Sequence, residues 1–378
     1  MLSESQIKKL NEHLERAQNP VFFFDNDVDG LSSFLLLRRH INRGKGVAIK
    51  SFPELDAGYA KRIYELNSDY VFVLDKPRIG EGFLKEALKM NIPVVWLDHH
   101  NINHDNGSIE DIYEKLEKTY ENLHIFNPAR KEKKDDDKNK AEAMEKSEEY
   151  EEYEPVSYLA YKTAGKKEDM WISMMGCVSD GFMPDFADEF KKSYPDLLGS
   201  AKTAFQVVYE TDFGKIIRMM SFALKDRTSN VVKTLKFLVS AKSPYDLKEE
   251  NKSTYHITKR YELINKKYQN LLEKAREAAG EQAGNMLFFQ YGGEFSLSAD
   301  IANELFYRFP KRIIVVAYLK GANANVSLRG NNNVRNITLK AIEGLENATG
   351  GGHVHACGAK ILAEDLQKFR ENLEREIK

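Results

Sequence analysis

Residues 21–30 read Val21-Phe22-Phe23-Phe24-Asp25-Asn26-Asp27-Val28-Asp29-Gly30, an apolar run that ends in three carboxylates at alternating positions. The same pattern recurs twice: Val71 to Leu74 leads into Asp75, and Val94 to Leu97 leads into Asp98. Apolar runs of this length, separated by helical stretches, predict buried parallel strands in βαβ units. In open parallel sheets, ligands bind outside the carboxyl ends of the strands. Three acidic clusters at three strand ends are therefore expected to converge on one cleft. The predicted fold class is α/β, with an N-terminal, mostly parallel sheet flanked by helices.

Working outward, residues 130–154 break the pattern with eleven acidic and seven basic side chains. Such a stretch cannot bury enough surface to fold alone. It reads as a solvated surface insertion, with a partner-docking arm as the sharper alternative. Apolar periodicity returns at Val156 to Tyr161 and at Trp171 to Val178, the latter followed by Asp180-Gly181. Residues 197–240 look helical, and 255–280 form a charged helix candidate with Ile257, Tyr261, Leu263, Ile264, Tyr268, Leu271 and Leu272 as its apolar face. From Met286 a smaller α/β unit begins: strands at 287–291, 312–319 and 325–329, helices at 299–309 and 337–345, then the run Gly350-Gly351-Gly352-His353. This gives three expected parts: a catalytic domain over 1–230, a helical connector over 231–285 and a second α/β domain over 286–378.

Composition narrows the class. The chain of 378 residues is 42% hydrophobic, enough for two cores. Its 56 basic and 58 acidic residues leave a formal charge of -2, which excludes a globally basic nucleic-acid coat. Phosphate binding would have to come from a local patch. Cys177 and Cys357 lack the spacing of a zinc knuckle and cannot build a disulfide framework. No apolar run approaches the ~18 residues of a membrane span. The N-terminus, with Leu2, Ile7, Leu10 and Leu14 among charges, reads as an amphipathic helix rather than a signal peptide. The expected setting is soluble, reducing and cytoplasmic.

The chemistry-bearing residues are few. Asp25, Asp27 and Asp29 offer hard oxygen ligands suited to Mg²⁺ or Mn²⁺. An EF-hand loop is the competitor, but position 12 of such a loop would be Leu36 rather than a glutamate. Asp98-His99-His100 adds imidazoles, which shifts the preference toward Mn²⁺, Fe²⁺, Co²⁺ or Zn²⁺. Asp75 or Asp180 alone would read as a cap or turn residue. Gly350, Gly351 and Gly352 alone would read as a flexible turn. His355 and Cys357 read as packing residues, His104 as exposed or structural, and Tyr291 and Tyr307 as core.

The conjunction of DxDxDG, a lone Asp, DHH and SDG, in this order on a βαβ framework, resembles the DHH phosphoesterase superfamily. Gly350-Gly351-Gly352-His353-Val354-His355-Ala356-Cys357-Gly358 resembles the GGGHxxAxG signature of its associated C-terminal domain. The resemblance implies a site for two divalent metal ions, usually Mn²⁺, with Mg²⁺ or Co²⁺ as substitutes. One ion would take Asp25, Asp27 and Asp75, the other Asp29, Asp75, His99 and Asp180, with Asp75 bridging. Many family members have His where Asp25 stands, whereas RecJ-like exonucleases often have Asp. His100 would contact the scissile phosphate or orient the nucleophile, and Asp98 would fix a nearby imidazole. Arg329, Gly350, Gly351, Gly352 and His353 would grip substrate phosphates.

Within the superfamily, Asp25, the SDG motif and the charged connector look most like compact archaeal RecJ-like proteins. The implied activity is an exonuclease on single-stranded DNA or RNA that releases mononucleotides by two-metal activated water. Replication or repair factors such as GINS are the implied protein partners. A nanoRNase or cyclic-dinucleotide phosphodiesterase is the nearest rival. A replication scaffold is the rival from another class, but every ligand position here keeps a competent side chain.

Overall fold

The computed structural model describes residues 1–51, 54–100, 112–129, 153–282 and 284–377. His104 and nearly all of the charged stretch 130–154 lie outside the described residues. The chain divides into two compact units, Met1–Tyr261 and Glu262–Lys378.

The first unit is built on five parallel strands: β1 (Pro20–Asp25), β2 (Lys45–Ile49), β4 (Tyr70–Leu74), β6 (Val94–Leu97) and β7 (Leu123–Phe126). Two short segments, β3 (Glu54–Leu55) and β5 (Arg78–Ile79), pair with each other separately. The main sheet has the order β2-β1-β4-β6-β7. After β1 the chain steps to one side, into β2, and then crosses back to lay β4, β6 and β7 on the other. The gap between β1 and β4 is therefore a topological switch point, where loops diverge and leave a crevice.

Side-chain alternation explains why both faces are covered. Phe22 and Phe24 of β1, Phe72 and Leu74 of β4, and Val95 and Leu97 of β6 enter one core. That core is closed by α1 (Glu4–Arg16), α2 (Val28–Ile41), α6 (Val156–Ala164) and α7 (Met170–Ser179). Val21, Phe23, Val71, Val73, Val94 and Trp96 point the other way. They meet α3 (Lys61–Glu65), α4 (Glu81–Lys89) and α5 (Ile112–Thr119). Strands buried on both faces must be apolar at consecutive positions, which is the reason for runs such as VFFF and VFVL. Phe22–Phe24 are fully buried core residues, with Phe22 stacked on Phe72 at 4.9 Å between ring centroids.

The helical stretch that follows is α8 (Ala187–Ser193), α9 (Pro195–Leu198), α10 (Ala204–Glu210), α11 (Asp212–Leu224) and α12 (Thr228–Ser240). A long helix, α13 (Tyr255–Glu281), starts in the first unit and ends in the second.

The second unit carries a mixed sheet in the order β11-β12-β10-β9-β8. Its strands are β8 (Met286–Gly292), β9 (Ile313–Lys320), β10 (Asn323–Arg329), β11 (Thr349–Gly352) and β12 (Ala356–Leu362). Helices α14 (Ser298–Arg308), α15 (Val334–Ile342) and α16 (Leu366–Glu376) complete it. The glycine run, which alone would read as a turn, is an edge strand: Gly350 pairs with Ala359 and Gly351 with Gly358. The absence of side chains removes the alternation that would have announced a strand.

Candidate metal centre

The acids at the ends of β1, β4 and β6 meet at the switch point. Asp25 closes β1. Asp27 caps α2, its Oδ1 accepting from the Gly30 N–H at 2.9 Å. This turn is possible only with glycine at 30, because a Cβ there would lie 2.6 Å from the Asp25 carbonyl oxygen. Asp29, in the first turn of α2, is buried and accepts from two backbone N–H groups at the start of α6: Val156 at 2.9 Å and Ser157 at 3.0 Å. A carboxylate between two helix N-termini satisfies backbone donors that have no partner within their own helices.

Asp75 follows β4 in the left-handed region, with φ 56°. That conformation is several-fold enriched in Asp among non-glycine residues. It is 3% exposed. Asp29, Asp75 and His99 place potential ligand atoms within 4.8 Å of one another, and so do Asp75, Asp98 and His100. Asp75 thus belongs to both groups. His99 Nε2 lies 3.6 Å from Asp75 Oδ1 and 3.8 Å from Asp180 Oδ2, and its Nδ1 is 3.3 Å from the Tyr153 carbonyl. Asp180 caps the C-terminus of α7, where a negative charge opposes the helix dipole. Gly181, with φ +81°, ends the helix directly after it.

Asp98 is fully buried and serves His100. His100 Nδ1 is 2.8 Å from Asp98 Oδ1, and the His100 backbone N–H donates to Asp98 Oδ2 at 3.1 Å. Asn127, directly after β7, donates to the His100 carbonyl at 2.9 Å and to the Tyr113 hydroxyl at 3.0 Å. The Tyr113 hydroxyl donates to the same carbonyl at 2.7 Å. These two braces carried no signal in the sequence, since Asn127 follows an edge strand of four residues and Tyr113 lies in a helix on the opposite face. Asp25 is held apart from both groups: its Oδ1 faces the Lys76 ammonium at 3.1 Å.

The electrostatics record the crowding. The Asp75 carboxyl is pushed well above the usual range by burial and then by the charges of Asp29, Asp27, Asp180 and Asp25. Asp27 is raised to about 6, by desolvation first and then by Asp25 and Asp29. Its side chain nevertheless keeps solvent access, which leaves the neighbouring charges as the stronger physical cause. For His100, burial opposes protonation, but the charge and hydrogen bond of Asp98, with Asp25 and Asp27, raise it overall. Carboxylates and imidazole converging in one place form a donor set suited to divalent cations such as Mn²⁺ or Mg²⁺. The residues present fit such ions.

In the second unit, the remaining sequence candidates meet at one end of the sheet. Arg329 ends β10 opposite Ala356, and Gly352 ends β11 opposite Cys357. Arg329 Nη1 donates to the Leu328 carbonyl at 2.7 Å, and its Nε to Asn303. His353 is exposed and follows Gly352, whose φ of +139° and 2.6 Å approach to the Ala356 carbonyl oxygen exclude any side chain. Cys357 and His355 are held locally, Sγ by the Gly351 carbonyl at 3.1 Å and Nδ1 by the Gly330 carbonyl at 3.1 Å.

A doubly covered parallel sheet with acids at its switch point, followed by this mixed sheet, is a RecJ-like fold. Residues 284–378 match the family model described as the DHHA1 domain. Among solved structures, the chain is similar to RecJ of Thermus thermophilus in complex with Mn²⁺, at TM-score 0.62 and 14% identity. That match covers 99% of this chain and 54% of the other, so the chain spans about half the length of that RecJ. A second exonuclease RecJ, bound to manganese, matches at TM-score 0.62 and 14% identity, covering 100% of this chain and 95% of the other. A DHH domain described as from a member of the s1p family of ribosomal proteins matches at TM-score 0.64 and 14% identity, covering 99% and 90%. No curated protein matches the chain by sequence. Among the described residues, no helix is long and apolar enough to cross a membrane.

Proposed function

We propose that this protein is a cytoplasmic, divalent-metal-dependent phosphodiesterase that hydrolyses single-stranded DNA or RNA from an end, releasing mononucleotides. The observation that carries this reading is the meeting of Asp29, Asp75 and His99 ligand atoms within 4.8 Å, directly beside the Asp98-braced His100. Two ions, Mn²⁺ by preference, would be held by Asp25, Asp27, Asp29, Asp75, His99 and Asp180. When bound, such ions lower the pKa of water and neutralise charge on a phosphoryl oxygen. The chain's own residues do the rest. Asp98 can only accept when ionised, so it holds the proton of His100 on Nδ1 and fixes the ring. His100 Nε2 is then the atom left to serve a phosphate oxygen. Arg329, Gly350, Gly351, Gly352 and His353 would bind further phosphates of the strand. Association with replication factors such as GINS is a separate part of the proposal, tested by co-purification.

The test is hydrolysis of end-labelled single strands of graded length, with Mn²⁺ and with chelator, by wild type and His99→Ala. Metal-dependent loss of long strands, abolished by the substitution, supports the exonuclease. Cleavage restricted to the shortest strands would favour a nanoRNase. Absence of cleavage at every length, with metal bound, would favour the scaffold reading.

A further inference from the structure

Lys76 follows Asp75 and is 1% exposed. An ammonium at that depth requires a counter-charge and satisfied donors. Its Nζ lies 3.1 Å from Asp25 Oδ1 and donates to the Ser51 carbonyl at 2.9 Å. The backbone is pinned as well, since Trp96 Nε1 donates to the Lys76 carbonyl at 2.8 Å. Asp25 Oδ1 also accepts from the Asn26 N–H at 2.9 Å. One oxygen of Asp25 is thus taken by two donors, one of them a full positive charge. Asp29, by contrast, accepts from neutral backbone donors, and Asp75 sits among other carboxylates and His99. The acidic cluster is therefore electrically lopsided: among the described residues, its Asp25 side already has a lysine cation and its Asp29 side does not.

We infer that Lys76 is the built-in cation of the Asp25 side, so that the centre binds its two divalent ions unequally. One ion binds tightly at Asp29, Asp75, His99 and Asp180. The other binds weakly beside Asp25 and Asp27, because it must share Asp25 with a buried ammonium that it repels. The inference rests on the metal-binding part of the proposed function and is independent of which strand is cleaved.

The experiment titrates metal-free, full-length protein with Mn²⁺ and counts bound ions by the electron paramagnetic resonance signal of free Mn²⁺. Wild type is expected to hold one tight ion and a second at least roughly tenfold weaker. Lys76→Met keeps the stem and removes the charge. It is expected to tighten the second ion by roughly tenfold or more and leave the first unchanged. Lys76→Arg should preserve the inequality. Since Lys76→Met leaves the partly buried Asp25 carboxylate without its cation and can fail to fold, Asp25→Asn supplies an independent arm. That variant should lose the weak ion and keep the tight one. Two equal ions in wild type, a weak ion unmoved by Lys76→Met, or loss of the tight ion in Asp25→Asn would each overturn the inference. Unequal binding without hydrolysis of any strand would sink the phosphodiesterase reading and leave this inference standing.

Discussion

His100 holds both oxygens of Asp98: its ring Nδ1 sits 2.8 Å from Oδ1 and its backbone N–H donates to Oδ2 at 3.1 Å. The carboxylate therefore sets the tautomer and the orientation of the ring together. Asp98→Asn keeps the shape but offers an amide where an acceptor is required. The expected result is a loss of about 10–100-fold in kcat for strand hydrolysis, as is typical when a buried partner of a site histidine is removed. KM should change little. A steady-state comparison of the two enzymes checks this, and an unchanged kcat would show that the reaction does not depend on the Asp98 brace.

Asp75 faces four other carboxylates, so the metal-free protein should be strained in a pH-dependent way. A carboxyl whose pKa is raised on folding contributes stability below the unfolded value of 3.8 and loses it as pH rises through the folded value. For Asp27 that window closes near 6, and for Asp75 it extends higher. Metal-free wild type should therefore melt at a lower temperature at pH 8 than Asp75→Asn does, with the gap narrowing at pH 5. Saturating Mn²⁺ should raise the wild-type Tm, by the equivalent of about 2.7 kcal/mol at a hundredfold excess over Kd. Asp75→Asn should show little of that rise. Thermal melts at the two pH values, with and without Mn²⁺, decide it. A metal-induced rise of equal size in both proteins would place the ions elsewhere.

Proton release is the companion of that result. Metal must displace the protons that crowding keeps on Asp27 and Asp75. Mn²⁺ affinity should rise as pH increases through about 6, where Asp27 gives up its proton. Calorimetric titrations in buffers of different ionisation enthalpy would measure the protons released. A pH-independent affinity with no release would mean the cluster is not the binding site.

Gly30 lets the N-terminus of α2 press against the end of β1. A methyl group there would meet the Asp25 carbonyl oxygen at 2.6 Å and the Asp25 nitrogen at 2.8 Å, both backbone atoms that cannot swing aside. Gly30→Ala is expected to cost about 1–3 kcal/mol in urea denaturation. It should also weaken Mn²⁺ binding, because relieving the clash moves Asp27 and Asp29 away from Asp75. Unchanged stability would show that the turn is looser than its geometry.

The centre was legible where local pattern and chemistry coincide. Asp25, Asp75 and Asp98 each follow a short apolar run, between helical stretches, that reads as a twice-buried strand, and parallel strands carry ligands at that end. Asp180 was legible only through the family resemblance, since nothing local separates it from an ordinary helix cap. Lys76, Tyr113 and Asn127 were not legible at all. Their importance comes from the strand order β1-β4-β6-β7, which brings distant positions into contact, as in the Lys76–Asp25 pair with its sequence separation of 51. The glycine run was misleading in the opposite way. Its composition suggests a turn, but the ladder with β12 makes it a strand.

A titration of opposite sign sits away from the metal centre, at His13. Its Nδ1 is 2.9 Å from the Tyr70 hydroxyl at the start of β4, and its ring lies 4.3 Å from that of His124. Burial, then the positive charges of His124 and Arg16, lower its pKa to about 4. A histidine that resists protonation when folded binds fewer protons than the unfolded chain between about 6.5 and 4. Its contribution to stability is present above that window and is lost as pH falls through it. The ring is only half-shielded, so the loss should be on the order of 2 kcal/mol or less. His13→Phe keeps an aromatic ring against His124 and Phe126 and cannot be charged. The variant should unfold at a lower urea concentration than wild type at pH 8, because the Tyr70 hydrogen bond is gone. It should lose less of its stability between pH 7 and pH 5. Parallel pH profiles for the two proteins would assign the acid sensitivity to another group.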